Sequence, residues 1–163
     1  MKRGIIIGAV LLLGLLLLPL SNLMLDRTPD PELVARLSDS GLASVLPALI
    51  TSCTDCHTQR IRKPIYMKIP PASWLIADHI EEARSDFDME NELFRENASP
   101  SLHILEEMTE VLEEGSMPPF SYKLLHWDAG FSSEERETLE TWIRGAQARA
   151  EDDEADDDHV DQE

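Results

Sequence analysis

The sequence is poor in basic residues. It contains 14 Lys and Arg against 32 Asp and Glu in 163 residues, and its formal net charge at pH 7 is −18. Binding to nucleic acid needs clustered lysine and arginine against the phosphates, so this charge argues against a nucleic-acid partner. An acidic surface favours a basic partner protein, or simply keeps a chain soluble.

Cysteine is also scarce, with Cys53 and Cys56 as the two examples. A closed zinc site needs four ligands, and the sequence has no second CxxC and no HxxxH. A thioredoxin-type pair needs a βαβ context, and no segment before Cys53 has the pattern of a strand. A plain disulfide is the alternative that these absences leave open.

A histidine directly follows the second cysteine. The resulting run, Cys53-Thr54-Asp55-Cys56-His57, is the CxxCH pattern of covalent haem attachment. Cysteines three residues apart face the same side of a helical turn, so both thiols can add to the vinyl groups of one haem. The sequence therefore predicts one haem c, bound covalently to Cys53 and Cys56, with His57 as the proximal iron ligand.

Met117 is the predicted distal iron ligand. It follows Gly115, which ends a predicted helix, and precedes Pro118 and Pro119. Prolines stiffen a loop, so a side chain there can be presented to the iron with a small loss of entropy.

His79 and His126 are the alternative distal ligands. Their neighbours Ile80 and Trp127 indicate that both lie partly buried. A third possibility is an iron with an open or water-filled sixth position. Such a site is typical of a haem sensor or of peroxidase-like chemistry.

The N-terminus has the pattern of an export signal. Lys2 and Arg3 precede an apolar run that continues, with one polar interruption, through Leu25. About 22 residues at ~1.5 Å each span ~33 Å, which matches a hydrocarbon core of ~30 Å. No small-x-small cleavage site follows, so we expect an uncleaved anchor in a bacterial cytoplasmic membrane. The positive-inside rule places the N-terminus in the cytoplasm and the remaining chain in the periplasm.

Beyond the anchor, apolar residues recur at helical spacing in 73–84 and 100–114, and Ser132 with Glu135 forms a capping box before a last helix. No segment has a convincing strand pattern. The predicted fold is all-α, a small cytochrome c-like helical domain wrapped around one covalent haem after a transmembrane helix. The predicted divisions are a membrane anchor or uncleaved signal (1–25), a linker with a short helix (26–46), the haem domain (47–150) and a disordered acidic tail (151–163).

Several motifs follow CxxCH in a fixed order. They are a proline-rich segment with Tyr66, a Trp74 to His79 segment, Met117-Pro118-Pro119 with Tyr122 and His126, and Ser132 to Glu135 before Trp142. This order resembles the haem-binding domain family of exported bacterial proteins, over residues 52–144. The resemblance implies a haem site at the CxxCH motif and makes Tyr122 and His126 recurring family positions. The chain departs from the family pattern after Arg84.

These features predict a membrane-anchored monohaem c-type cytochrome that transfers single electrons. One CxxCH, one well-placed methionine and no acid–base constellation point to a carrier rather than an enzyme. The acidic surface predicts a redox partner with a basic docking surface. The alternative is a haem sensor or peroxidase-like domain with an exchangeable sixth ligand.

Overall fold

The structure is a computed structural model that describes residues 2–25, 28–37, 40–60, 64–95 and 100–160. Within those ranges every regular element is helical, which confirms the all-α prediction. The helices are α1 (Lys2–Asn22), α2 (Pro31–Arg36), α3 (Ser40–Ser52), α4 (Thr54–His57), a 3-10 helix (Ile65–Lys68), α5 (Ala72–Asp86), α6 (Met89–Glu92), α7 (Leu102–Glu114), α8 (Phe120–Lys123) and α9 (Ser133–Val160).

The core forms where α3, α7 and α9 pack against one another. Helix α7 contributes Leu105, Met108 and Leu112, whose helical spacing places them on one face. Leu49 of α3 and Ile143 of α9 are each 1% exposed and meet this face. The apolar residues that recur at helical spacing in the sequence are therefore the ones that form the core of the domain.

The helix ends follow the capping signals of the sequence. Gly115 ends α7 with φ 64, a left-handed conformation that glycine adopts without strain. At the start of α9, the Glu135 amide donates to Ser132 Oγ at 3.2 Å and the Ser132 amide donates to Glu135 Oε2 at 2.8 Å. These two bonds form the predicted capping box.

Helix α3 begins before the predicted domain boundary at residue 47. It starts at Ser40, and its residues Leu42, Val45 and Leu46 are buried in the core. The helix continues through Pro47, although proline lacks the amide that would donate within a helix. Part of the predicted linker at 26–46 thus belongs to the packed domain, because its apolar residues complete the surface that α9 covers.

The last helix extends further than predicted. Residues 151–160 were expected to be disordered, but α9 runs to Val160. No proline or glycine occurs after Gly145, and a helix already nucleated by packing gains one backbone hydrogen bond with each added residue. The expected disorder at 161–163 concerns residues outside the described part of the chain.

Helix α1 is apolar along its length and exposed, with Leu11 at 69%. It has 21 residues and a mean hydropathy of 2.6 in its most apolar window, so its length and composition suit a membrane span. Its last residue, Asn22, is fully buried, and Asn22 Nδ2 donates to the Leu125 carbonyl at 2.7 Å. The end of α1 is therefore bonded directly to the helical domain.

Candidate functional site

The CxxCH motif forms a helical turn directly after α3. The Cys53 amide donates to the Leu49 carbonyl at 2.8 Å, which continues the hydrogen bonding of α3. The Cys53 carbonyl then accepts from the amides of Cys56 at 3.1 Å and His57 at 3.0 Å. The backbone thus has the turn that the cysteine spacing predicts, and the packing of α3 in the core holds it in place.

The His57 ring is fixed by the segment between α5 and α6. His57 Nδ1 lies 2.9 Å from the Phe87 carbonyl oxygen, and the two rings are 5.5 Å apart at 49°. A carbonyl can only accept, so Nδ1 carries the proton and Nε2 has a free lone pair. This tautomer is the one in which a histidine binds a metal through Nε2, with its other nitrogen held by a backbone carbonyl.

His57 and Cys53 line an apolar cavity of about 340 Å³. Its size falls within the range of ~300–1,000 Å³ that is usual for ligand and cofactor sites. The apolar lining comes from several helices and three loops, and consists of Leu49, Ala83, Phe87, Met89, Ile104, Met108, Val111, Leu112, Met117, Phe131 and Leu139. The cavity can accept a large, flat apolar group against the imidazole.

Three methionines line this cavity: Met89, which is fully buried, Met108 and Met117. Met117 lies on the loop after α7 and is 39% exposed. Met108 also lines the cavity but sits on α7 and is 7% exposed. The sequence did not single out Met108, because its helical spacing indicates a core residue and nothing in that pattern marks a cavity wall.

Neither alternative histidine lines the cavity. His79 is exposed on α5. His126 is 4% exposed, its Nε2 lies 2.9 Å from the Tyr66 hydroxyl, and its ring stacks on Tyr122 at 3.8 Å. The expected burial of His126 is present, but this histidine is part of another cluster.

That cluster is a buried polar network that joins α1 to the CxxCH turn. Asn22 Nδ2 contacts the Tyr66 hydroxyl at 3.4 Å, and the Tyr66 hydroxyl contacts His126. His126 Nδ1 lies 3.0 Å from the Tyr122 carbonyl, and the Tyr122 hydroxyl donates to Asp55 Oδ2 at 2.7 Å. Asp55 lies between the two cysteines, so the network ends inside the haem-attachment motif.

The two thiols are poor nucleophiles in this environment. Desolvation, reinforced by the neighbouring Cys56, raises the pKa of Cys53 to about 12. Desolvation, followed by the Asp55 carboxylate, also raises the pKa of Cys56. A catalytic redox pair needs a lowered pKa, so the thioredoxin alternative finds no support. Among the described residues, no group of three or more His, Cys, Asp or Glu is arranged to hold a metal ion, so the zinc alternative also lacks support.

An ion-pair cluster stabilises the segment that follows His57. Arg60 Nη1 donates to Asp30 Oδ2 at 2.7 Å, and Arg60 Nε lies 3.2 Å from Glu90 Oε2. The hydrogen bond to Glu90 is the main reason that the pKa of Arg60 is raised. The cluster connects the start of α2 and α6 to the segment after the CxxCH turn, and so braces the region that carries Phe87.

The described part of the domain is all-helical and has a CxxCH turn at the wall of an apolar cavity, which is consistent with a small all-α haem domain. The chain belongs to the haem-binding domain family, whose family model matches residues 25–145. It is also similar to the cytochrome c peroxidase Ccp of Escherichia coli (strain K12), at 33% identity over 101 residues. That alignment covers 61% of this chain and 21% of the relative, so the chain spans about a fifth of that protein's length. No solved structure matches the chain.

The residues of the cavity fit a haem. The chain supplies a histidine with its Nε2 lone pair free, an apolar wall for the macrocycle, and a thiol at the same wall. Because the family binds haem, this cavity is the candidate haem site. The observation that supports the assignment is the His57 tautomer, which the Phe87 carbonyl sets before any metal binds.

Replacing Tyr122 with phenylalanine tests the polar network beside the motif. The change removes the hydroxyl that donates to Asp55 and keeps the ring that stacks on His126. Loss of a hydrogen bond to a charged acceptor should lower the free energy of unfolding by about 1.5–3 kcal/mol. Urea unfolding of the haem-loaded chain measures this change. Ser121→Ala, an exposed change on α8, should alter it by less than about 0.5 kcal/mol; equal effects of the two variants would contradict the prediction.

Proposed function

We propose that this chain is a membrane-anchored monohaem c-type cytochrome that transfers single electrons. The observation that carries the proposal is the CxxCH turn at the wall of an apolar cavity that Met117 also lines. A bound haem supplies one-electron oxidation and reduction at its iron. The protein's part would be to hold that group rigidly, to exclude water from it and to supply the side chains that bind its iron.

Each residue of the motif has a defined part in this proposal. Cys53 and Cys56 would hold the haem covalently through thioethers, and the single CxxCH would limit the domain to one haem. His57 would bind its iron, with the ring oriented by the Phe87 carbonyl. A backbone carbonyl at Nδ1 also raises the basicity of the ligating nitrogen, which strengthens the bond to iron.

The proposed location rests on α1 and on the two basic residues at its N-terminal end. In the proposal α1 spans a bacterial cytoplasmic membrane, with Lys2 and Arg3 on the cytoplasmic side. The haem domain then lies in the periplasm. The length and apolar character of α1 support this arrangement.

Covalent attachment can be tested by substitution of the cysteines. After denaturing electrophoresis, the chain should still stain for haem, and its mass should exceed that of the polypeptide by one haem. The double variant Cys53→Ala/Cys56→Ala should lose the stain, because no thioether can form. Met117→Leu is the control, and it should keep the stain. A wild-type chain whose haem separates under denaturing conditions would overturn the covalent assignment.

The distal ligand can be tested by comparing Met117 with Met108, two of the three methionines that line the cavity. If Met117 binds the iron, the ferric protein should have a low-spin spectrum with the weak red band of methionine–iron bonding. Met117→Leu should abolish this band and lower the reduction potential. Met108→Leu is a matched control, since it makes the same change in the same cavity and should leave the band in place. The reverse result would assign the ligand to Met108.

A second candidate function is supported by the relative that is named a cytochrome c peroxidase. In this reading the sixth position of the iron is exchangeable, and the domain senses a small molecule or reacts with peroxide. High-spin spectra and rapid binding of cyanide or carbon monoxide by the unmodified protein would favour it over the electron carrier.

We further propose that a basic partner docks at the mouth of the cavity. Three acidic side chains, Asp86, Glu107 and Glu110, lie along the cavity, and Glu107 and Glu110 are exposed. Negative charge at this position attracts a positively charged partner to the part of the protein that is nearest the haem.

Charge reversal at the mouth tests this docking surface. Glu107→Lys/Glu110→Lys should slow reduction by a cationic reductant, ruthenium hexaammine, severalfold at low ionic strength, and speed reduction by anionic dithionite. Both effects should shrink as salt approaches 0.15 M, where the Debye length is about 8 Å. Glu134→Lys/Glu137→Lys, the same charge change on exposed positions of α9, is the control. Equal effects of the two double variants would refute a localised docking surface.

A further inference from the structure

The buried end of α1 fixes which part of the domain lies nearest the membrane, if α1 spans the bilayer as proposed. Its 21 residues rise about 31 Å at ~1.5 Å per residue, close to the ~30 Å of a hydrocarbon core. Asn22, the last residue of α1, therefore lies at the boundary between the hydrocarbon and the headgroups.

Two segments of the domain touch Asn22 and must lie at the same depth. The Leu125 carbonyl is 2.7 Å from Asn22 Nδ2, and the Tyr66 hydroxyl is 3.4 Å from it. Asn22 is fully buried, so the end of α1 is packed into the domain and is not held to it through an exposed linker alone. The surroundings of these two residues are thus the part of the domain beside the bilayer.

The two chain segments that hold these contacts carry most of the exposed large apolar side chains of the domain. We define the apolar face as Ile69, Trp74 and Leu75, which follow Tyr66 in the chain, and Phe120, Leu124 and Trp127, which flank Leu125. Their exposed fractions run from 53% at Trp127 to 78% at Phe120. In the described chain after residue 24, eight large apolar side chains are exposed, and six of them belong to this face; the other two are Val34 and Met117.

We propose that the apolar face rests in the interfacial layer of the bilayer, next to the point where α1 leaves the membrane. Large exposed apolar patches are uncommon on soluble surfaces and mark sites of contact. Tryptophan is enriched at the headgroup level, where its ring is apolar and its N–H is polar. The position of the face beside Asn22 identifies the bilayer as the occupant, since α1 brings the lipid to it.

The charges beside the face agree with a lipid surface. Lys68 and Lys123 are the neighbours of Ile69 and Leu124, although the chain as a whole has a net charge of −18. Lysines at the rim of an inserted apolar face can reach the phosphates of the headgroups. The domain would then be held at the membrane by α1 and by this second contact.

Crosslinking to lipid tests the proposal on the full haem-loaded chain. The protein is placed in nanodiscs of phosphatidylcholine and phosphatidylglycerol that include a phosphatidylcholine with a diazirine on its acyl chain near the headgroup. After illumination, mass spectrometry locates the lipid adducts. We expect adducts on α1 and on peptides that contain residues 69–75 and 120–127. Peptides of α7 and of residues 133–144 in α9 are internal controls and should carry none.

A variant with charges in the apolar face gives a second test of the contact with lipid. Trp74→Glu/Trp127→Glu should reduce the adducts on these two peptides severalfold and leave the α1 adducts unchanged. Val34→Glu adds a charge at an exposed apolar position outside the face and is the control. The haem absorption spectrum verifies that each variant is folded, and the wild-type adduct map tests the proposal even if the double variant does not fold.

The outcomes separate this inference from the proposed anchoring. Adducts on α1 alone would overturn the inference and leave the anchor intact. An absence of adducts on α1 as well would overturn the anchor and, with it, the inference. Unlabelled face peptides in discs that hold two copies of the chain would show that a second copy covers the face instead of lipid.

Discussion

The hydrogen bond between His57 and the Phe87 carbonyl determines which nitrogen of His57 can bind a metal. It fixes the proton on Nδ1 and directs the other nitrogen toward the cavity. For this bond to form, the chain must return from α4 through the 3-10 helix and α5, so that residue 87 lies beside residue 57. The ion pairs of Arg60 with Asp30 and Glu90 stabilise the same arrangement of the chain around His57.

The candidate haem site and the core are parts of one packed unit. Helix α3 contributes buried side chains at one end and continues into the CxxCH turn at the other. Helix α7 likewise packs on α9 through Leu105 and lines the cavity through Met108. Any change that loosens these helices therefore also alters the geometry around His57, because the same helices carry part of the cavity wall.

Sequence reasoning identified the features that depend on local spacing. The CxxCH turn, the stripe on α7 and the capping box at Ser132 each need only a few neighbouring residues to be recognised, and all three are present. Met117 was singled out by its loop, and it does line the cavity. The extent of α3 was missed, because its first residues looked like a linker until α9 was known to cover them.

The features that were missed depend on pairing between distant parts of the chain. The Phe87 carbonyl is a backbone group, so no residue type in the sequence identifies it as the partner of His57. Asn22 and Asp55 stand 33 positions apart and are joined through residues of two further segments. Tyr122 and His126 were recognised as recurring positions of a family, but only the folded chain assigns them to this network.

The buried amide of Asn22 has a mechanical consequence. A domain on a flexible tether samples many orientations, and a partner must wait for the correct one. Here Asn22, which has no exposed surface, bonds the end of α1 to the domain, so turning the domain relative to α1 would break a buried hydrogen bond. If α1 spans a membrane as proposed, a partner protein in the same membrane would meet the domain with little loss of rotational freedom.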